Sequence, residues 1–189
     1  MGDELIPPDL GNPKGYFENA RFWRLNHQIL HSIGSSWTNP PDREIIRTFR
    51  FPEDNIRTVL SSQVKSIWGL KHPLTVLSFE ILRPHLEEVS DITYVFVHRP
   101  FEDSVRSLSF RDNISKNEAT QILTPYFKNL NYYRNELAQE NQDIIDVHYD
   151  TLLENPESFV TECNRRIGQQ PDHNLDVVKS FLDQKLKHF

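Results

Sequence analysis

The sequence predicts an α/β protein in which a parallel sheet lies between layers of helices. Three observations predict it. Short β-branched and aromatic runs over 64–70, 92–98 and 144–149 read as strands. Segments with apolar residues at helical spacing separate them. Strands that alternate with helices close through right-handed crossovers, which gives a parallel sheet with helices on its faces.

The elements follow in order. Residues 1–17 hold Pro7-Pro8, Asn12-Pro13 and three glycines, so 1–18 reads as an extended, turn-rich lead-in. Phe22, Leu25, Ile29 and Ile33 then recur at helical spacing, with Gly34 as the stop. Asp42 can cap a second helix bearing Ile45, Ile46 and Phe49, and Pro52 can start a third bearing Ile56, Val59 and Leu60. The strand over 64–70 ends at Lys71-His72-Pro73, where proline stops the ladder. Helical spacing resumes over 74–82 and is expected to end at Pro84. After the second strand come helices over 102–110 and, through Pro125, over 117–137. The third strand leads into helical turns over 151–155 and 157–167, where Asp150 can act as a cap, and a terminal helix carries Leu175 to Leu182. Trp23, Trp37 and Trp68 are assigned to the core.

The chain has 189 residues, enough for a single domain over 1–189 with a substantial core. Its net charge of -6 argues against binding a nucleic-acid polymer, which needs many basic contacts to phosphates. A single nucleotide needs only a local cluster. The lone Cys163 can form no internal disulfide and no thiolate metal site, so a reducing, cytoplasmic setting is expected. No apolar run approaches the ~20 residues of a membrane span, and the N-terminus has no signal-peptide core.

The chemistry points to the end of the second strand. Arg99 leaves it just before Pro100 and a helical pattern, and Ser107 lies eight residues further on. Ligands of open α/β sheets bind at the carboxyl ends of strands, and helix N-termini favour anions. Arg99 can offer a fork of donors and Ser107 a hydroxyl, a combination suited to phosphate. The alternative from spacing alone is an Arg99 paired with Glu102 or Asp103 beside a surface serine.

Several segments together resemble the sulfotransferase family, which moves a sulfuryl group from 3'-phosphoadenosine 5'-phosphosulfate (PAPS) to a hydroxyl or amine. Gly11-Asn12-Pro13-Lys14-Gly15-Tyr16-Phe17-Glu18 resembles the lead-in of bacterial members. Trp68-Gly69-Leu70-Lys71-His72-Pro73 resembles their "WG-x-K-D-P" strand end. Arg99 and Ser107 keep the separation of the family's 3'-phosphate pair, and Val147-His148-Tyr149-Asp150-Thr151-Leu152-Leu153-Glu154-Asn155-Pro156 resembles its "RYEDLLxDP" segment. The resemblance implies a three-layer fold related to the P-loop kinases. It also implies PAPS, or its product adenosine 3',5'-bisphosphate, as co-substrate without a metal.

One departure stands out. Family members begin with a strand, a "PRSGTS"-type loop that wraps the 5'-phosphosulfate, and a helix. Here no glycine sits in such a context; Gly34-Ser35-Ser36-Trp37 is the nearest and lacks the strand and the cation. The expectation is a fold whose first strand-loop-helix is missing, with an unpaired sheet edge that favours self-association or a completing partner chain.

By resemblance, Lys71 stabilises the bridging oxygen of the departing phosphate. The general base has three candidates. Glu4 belongs to Gly2-Asp3-Glu4, which resembles the acidic segment of tyrosylprotein sulfotransferases. Glu18 closes the Gly-Tyr-Phe-Glu run, though both acids equally suit an exposed lead-in. His72 adjoins the lysine, where cytosolic members place a histidine two residues away. Tyr149 can approach the nucleotide from its strand end. His27 and His31 have zinc-pair spacing but lack an HExxH glutamate and a clear third ligand.

Two functions therefore compete: a PAPS-dependent sulfotransferase acting on a small-molecule, glycan or protein acceptor, and a non-catalytic module that keeps the 3'-phosphate half-site or binds a protein. A nucleotide-kinase reading lacks a Walker lysine and its Mg-binding hydroxyl.

Overall fold

The computed structural model describes residues 4–9, 12 and 14–182. Gly2, Asp3, Gly11 and Pro13, which the resemblance also used, lie outside them. The fold is mixed α/β and mostly helical, in two compact units: Met1–Ile92 with Gln121–Leu130, and Thr93–Thr120 with Asn131–Phe189.

The first unit is built on α1 (Ala20–Ser32), α2 (Arg43–Thr48), α3 (Glu53–Gln63) and α4 (Thr75–Val89). Asn19 caps α1: its Oδ1 accepts from the N–H groups of Arg21 and Phe22, and its Nδ2 donates to Gln63 Oε1 at 2.6 Å. Gly34, at φ +70°, ends the helix as its sequence position predicts. The core gathers Phe22, Leu25, Ile29 and Leu30 from α1 with Ile46, Ile56, Leu60 and Leu77 from the other three helices. One polar pair lies inside it. Asn26 and Ser78 are both 0 % exposed; Ser78 Oγ donates to Asn26 Oδ1, and Asn26 Nδ2 donates to the Phe22 carbonyl at 2.9 Å. The pair is buried because it is satisfied.

Three expectations are corrected in this unit. Residues 64–70 form no strand: among the described residues they have no ladder partner. Their side chains find other uses, with Val64, Trp68 and Leu70 packed on the helical core and the Trp68 indole donating to Ser90 Oγ at 2.8 Å. A β-branched sequence becomes a strand only where another strand accepts its backbone.

The fourth helix runs through Pro84 to Val89 instead of stopping. An interior proline costs about 3 kcal/mol, and burial of Leu77, Leu82 and Leu86, at 0, 1 and 7 % exposed, offsets it. Of the tryptophans only Trp68 packs on the core, whereas Trp23 and Trp37 are exposed. Trp23 lies against the His27 ring instead, 4.2 Å between centroids.

The second unit carries β1 (Thr93–His98), α5 (Phe101–Asp112), α6 (Lys116–Gln139), β2 (Asp143–His148), α7 (Tyr149–Glu154), α8 (Glu157–Arg166) and α9 (Leu175–Phe181), with the middle of α6 belonging to the first unit. Ser115 caps α6, its hydroxyl accepting from the Glu118 N–H at 3.1 Å. The two strands pair in parallel from Thr93↔Asp143 to His98↔His148. Phe96, Ile145 and Val147 are buried with Val105, Leu108, Tyr133, Leu137 and Val160. At the start of the strands Thr93 Oγ1 donates to Asp143, which Arg166 also holds at 2.8 Å. Among the described residues no helix is long and apolar enough to cross a membrane.

Candidate functional site

Parallel register decides what meets at the carboxyl end of the sheet. His98 and His148 are paired end residues, so their rings lie side by side with centroids 5.3 Å apart. One residue later the chain leaves each strand, Arg99 into the turn before α5 and Tyr149 into α7. There the Arg99 guanidinium sits over the Tyr149 ring, 5.2 Å from its centroid. Arg99 occupies the junction between β1 and α5, and Ser107 lies half-buried in the second turn of that helix. In the first turn of that helix Asp103 pairs with Arg106. Tyr149 opens α7, whose N-cap is His148, so the helix starts before the expected Asp150 cap.

A second layer supports this edge. Asp146 accepts from His98 Nε2 at 2.6 Å and from the Arg134 guanidinium at 2.6 Å. Arg134, then His98, holds the Asp146 carboxyl below its ordinary pKa. Sequence reasoning missed His98, His148, Asp146 and Arg134. The signal available was the likeness of Val97-His98-Arg99 to Val147-His148-Tyr149, which the parallel register superposes. An open cavity of about 420 Å³ adjoins the first turns of α5, lined by Phe101, Glu102, Val105, Arg106, Lys116 and Thr120.

The other expected site residues belong to the first unit, and the structure brings three of them together. Glu18 precedes the α1 cap and is 6 % exposed. Its position is fixed by its own carbonyl, which accepts from Ile6 N–H at 2.8 Å, and by the neighbouring bridge Leu5↔Asn19. Lys71 Nζ donates to Glu18 Oε1 at 2.6 Å and to the Tyr16 carbonyl at 3.1 Å. His72 Nε2 lies 3.4 Å from Glu18 Oε2. Thus Glu18 is not an exposed acid of the lead-in, and Lys71, although half exposed, is tethered.

Glu4 takes a different place. Its two oxygens accept from Arg21 at 2.7 and 2.9 Å, and this fork holds its carboxyl below the usual range.

His72 is buried, and its Nδ1 has no hydrogen-bond partner. Burial, then the neighbouring His27 and Lys71, lowers its pKa to about 4. The His27 ring is 6.4 Å away and His31 5.9 Å beyond that. Among the described residues no group of three or more His, Cys, Asp or Glu could hold a metal ion.

A stability consequence follows from His72. Its folded pKa lies below the unfolded value of 6.5, so between pH 6.5 and about 4 the unfolded chain binds a proton that the folded chain refuses. Stability is fully kept above that window and falls as the pH drops through it, by up to about 1.4 kcal/mol per pH unit. Urea unfolding at pH 7, 6 and 5 is expected to show this slope, and a shallower one in His72→Gln. Equal slopes would remove His72 as its source.

No family model matches the chain, and no curated protein or solved structure does.

Proposed function

We propose that this chain is a PAPS-dependent sulfuryl-transfer protein with a three-layer α/β architecture. In this reading the second unit takes the 3'-phosphate of the nucleotide through Arg99, Ser107 and Tyr149. Lys71 keeps the role that the resemblance implies, the cation that neutralises charge on a departing phosphate. The observation that supports it most is a guanidinium stacked on an aromatic ring at the carboxyl ends of two parallel strands. A planar fork held this way loses little freedom on meeting a tetrahedral anion, and the helix that follows adds the favourable end of its dipole.

The residues fit the 3'-phosphate end of the nucleotide. For the 5'-phosphosulfate no cradle is assigned: of the described glycines with positive φ, Gly34 closes a helix and Gly15 and Gly168 lie in turns, so none links a strand to a helix. Transfer would rest on positioning and on charge stabilisation by fixed donors. The acceptor is a hydroxyl or amine of a small molecule, glycan or protein.

A non-catalytic nucleotide-binding module is the second reading. What favours it is that Arg99, Ser107 and Tyr149 all belong to one compact unit, so binding calls on no residue of the other. Calorimetric titration with adenosine 3',5'-bisphosphate, followed by 35S transfer from labelled PAPS to phenolic, carbohydrate and amine acceptors, separates the two. Binding with transfer supports the enzyme. Binding without transfer supports the module, and absence of both rejects the nucleotide reading altogether.

A further inference from the structure

We infer that Glu18 is a positioning residue, which aims the Lys71 ammonium and fixes the His72 tautomer, and is not itself the proton acceptor. For its catalytic consequence this rests on the sulfuryl-transfer reading; the pairing itself does not.

The two carboxylate oxygens of Glu18 face different neighbours. Oε1 accepts from Lys71 Nζ at 2.6 Å, and Oε2 faces His72 Nε2 at 3.4 Å. A base must present a lone pair to the acceptor's proton, and burial withholds those of Glu18 from one. Its side chain is 8 % exposed, whereas that of Lys71 is 54 % exposed. Charge buried on one side and offered on the other is the geometry of a clamp.

The donors of Lys71 agree. An ammonium has three N–H groups; one goes to Glu18 and one to the Tyr16 carbonyl, which leaves one for an incoming anionic oxygen. For His72 the carboxylate assigns the proton to Nε2, because a lone pair there would face the Oε2 lone pairs. Nδ1 then carries the lone pair, buried and without a partner. The charged and titratable groups around this ring are Glu18, Lys71 and, from α1, His27. Its lowered pKa keeps it neutral near pH 7. An orphaned acceptor in a buried ring weakens the fold, so the arrangement is not explained by stability.

The test uses the full chain without nucleotide. With 15N-lysine labelling, an ammonium held by two hydrogen bonds exchanges slowly enough to give a 1H–15N cross-peak, assigned by its loss in Lys71→Arg. The wild type is expected to show it, and Glu18→Gln to lose it. Long-range 15N spectra should report His72 with protonated Nε2 in the wild type and mixed tautomers in Glu18→Gln. A wild type lacking the cross-peak, a cross-peak that survives Glu18→Gln, or a protonated Nδ1 overturns the inference, and the wild-type arms hold even if the variant does not fold.

Where the wild type transfers sulfuryl groups, Glu18→Gln is expected to lower kcat about tenfold with the acceptor KM unchanged and the acid limb of the pH profile retained. Loss of that limb would make Glu18 the base and overturn the inference. A wild type with the expected spectra and no transfer supports the clamp and rejects the sulfuryl-transfer reading instead.

Discussion

Arg99→Ala is expected to weaken binding of adenosine 3',5'-bisphosphate by about a hundredfold, measured by calorimetry at fixed salt. A charge-assisted bond to phosphate contributes roughly 1.5–3 kcal/mol, and a guanidinium fork can make two of them. Its stacking on Tyr149, at 5.2 Å, means that the fork is ordered before the ligand arrives, so little of that energy is spent on ordering it. Asp103, in the first turn of the following helix, is paired with Arg106, which moderates its repulsion of an entering phosphate. Arg99→Lys keeps the charge but loses the planar fork, and should recover only part of the affinity. Ser107→Ala removes one neutral hydroxyl, worth about 1 kcal/mol, so its loss should be several-fold. Unchanged binding in Arg99→Ala would place the phosphate elsewhere and remove the main support of the proposed function.

The residues around that junction were legible in the sequence to different depths. The two paired strands announce themselves because β-branched and aromatic runs end at helical patterns, and the parallel pairing follows from the helices between them. The position of Arg99 at a strand-to-helix junction was readable for the same reason. The stack with Tyr149 was not, because it depends on register: only when His98 meets His148 do the next residues coincide.

Residues 64–70 show the opposite case. Their composition matches that of the true strands, yet strand formation needs a partner's backbone, a tertiary fact that no local pattern encodes. Pro84 failed as a stop signal because helix breaking is a local cost of a few kcal/mol, and buried leucines on both sides of it offset that cost. Burial of Glu18 was equally hidden. Its only local sign is the adjacent Asn19, which caps α1 and holds the preceding residue against the lead-in.

Phe22→Ala is expected to destabilise the chain by about 3–5 kcal/mol, the usual cost of removing a buried aromatic ring. Phe22 is 2 % exposed on α1, and its ring lies nearly parallel to Trp68, with centroids 6.0 Å apart and 13° between planes. Trp68 stands in the segment that forms no strand, and its anchors are this stack, the helical core and the bond to Ser90. Truncating Phe22 therefore opens a cavity and also frees the segment that leads to Lys71. Phe22→Leu keeps most of the volume and should cost less than about 1.5 kcal/mol. Denaturant unfolding checks both: the midpoint should fall with the slope unchanged, since slope follows the area exposed on unfolding. If Phe22→Ala shifts the midpoint no more than Phe22→Leu does, the ring is not a keystone of this core, and the 64–70 segment is held by something other than its stack.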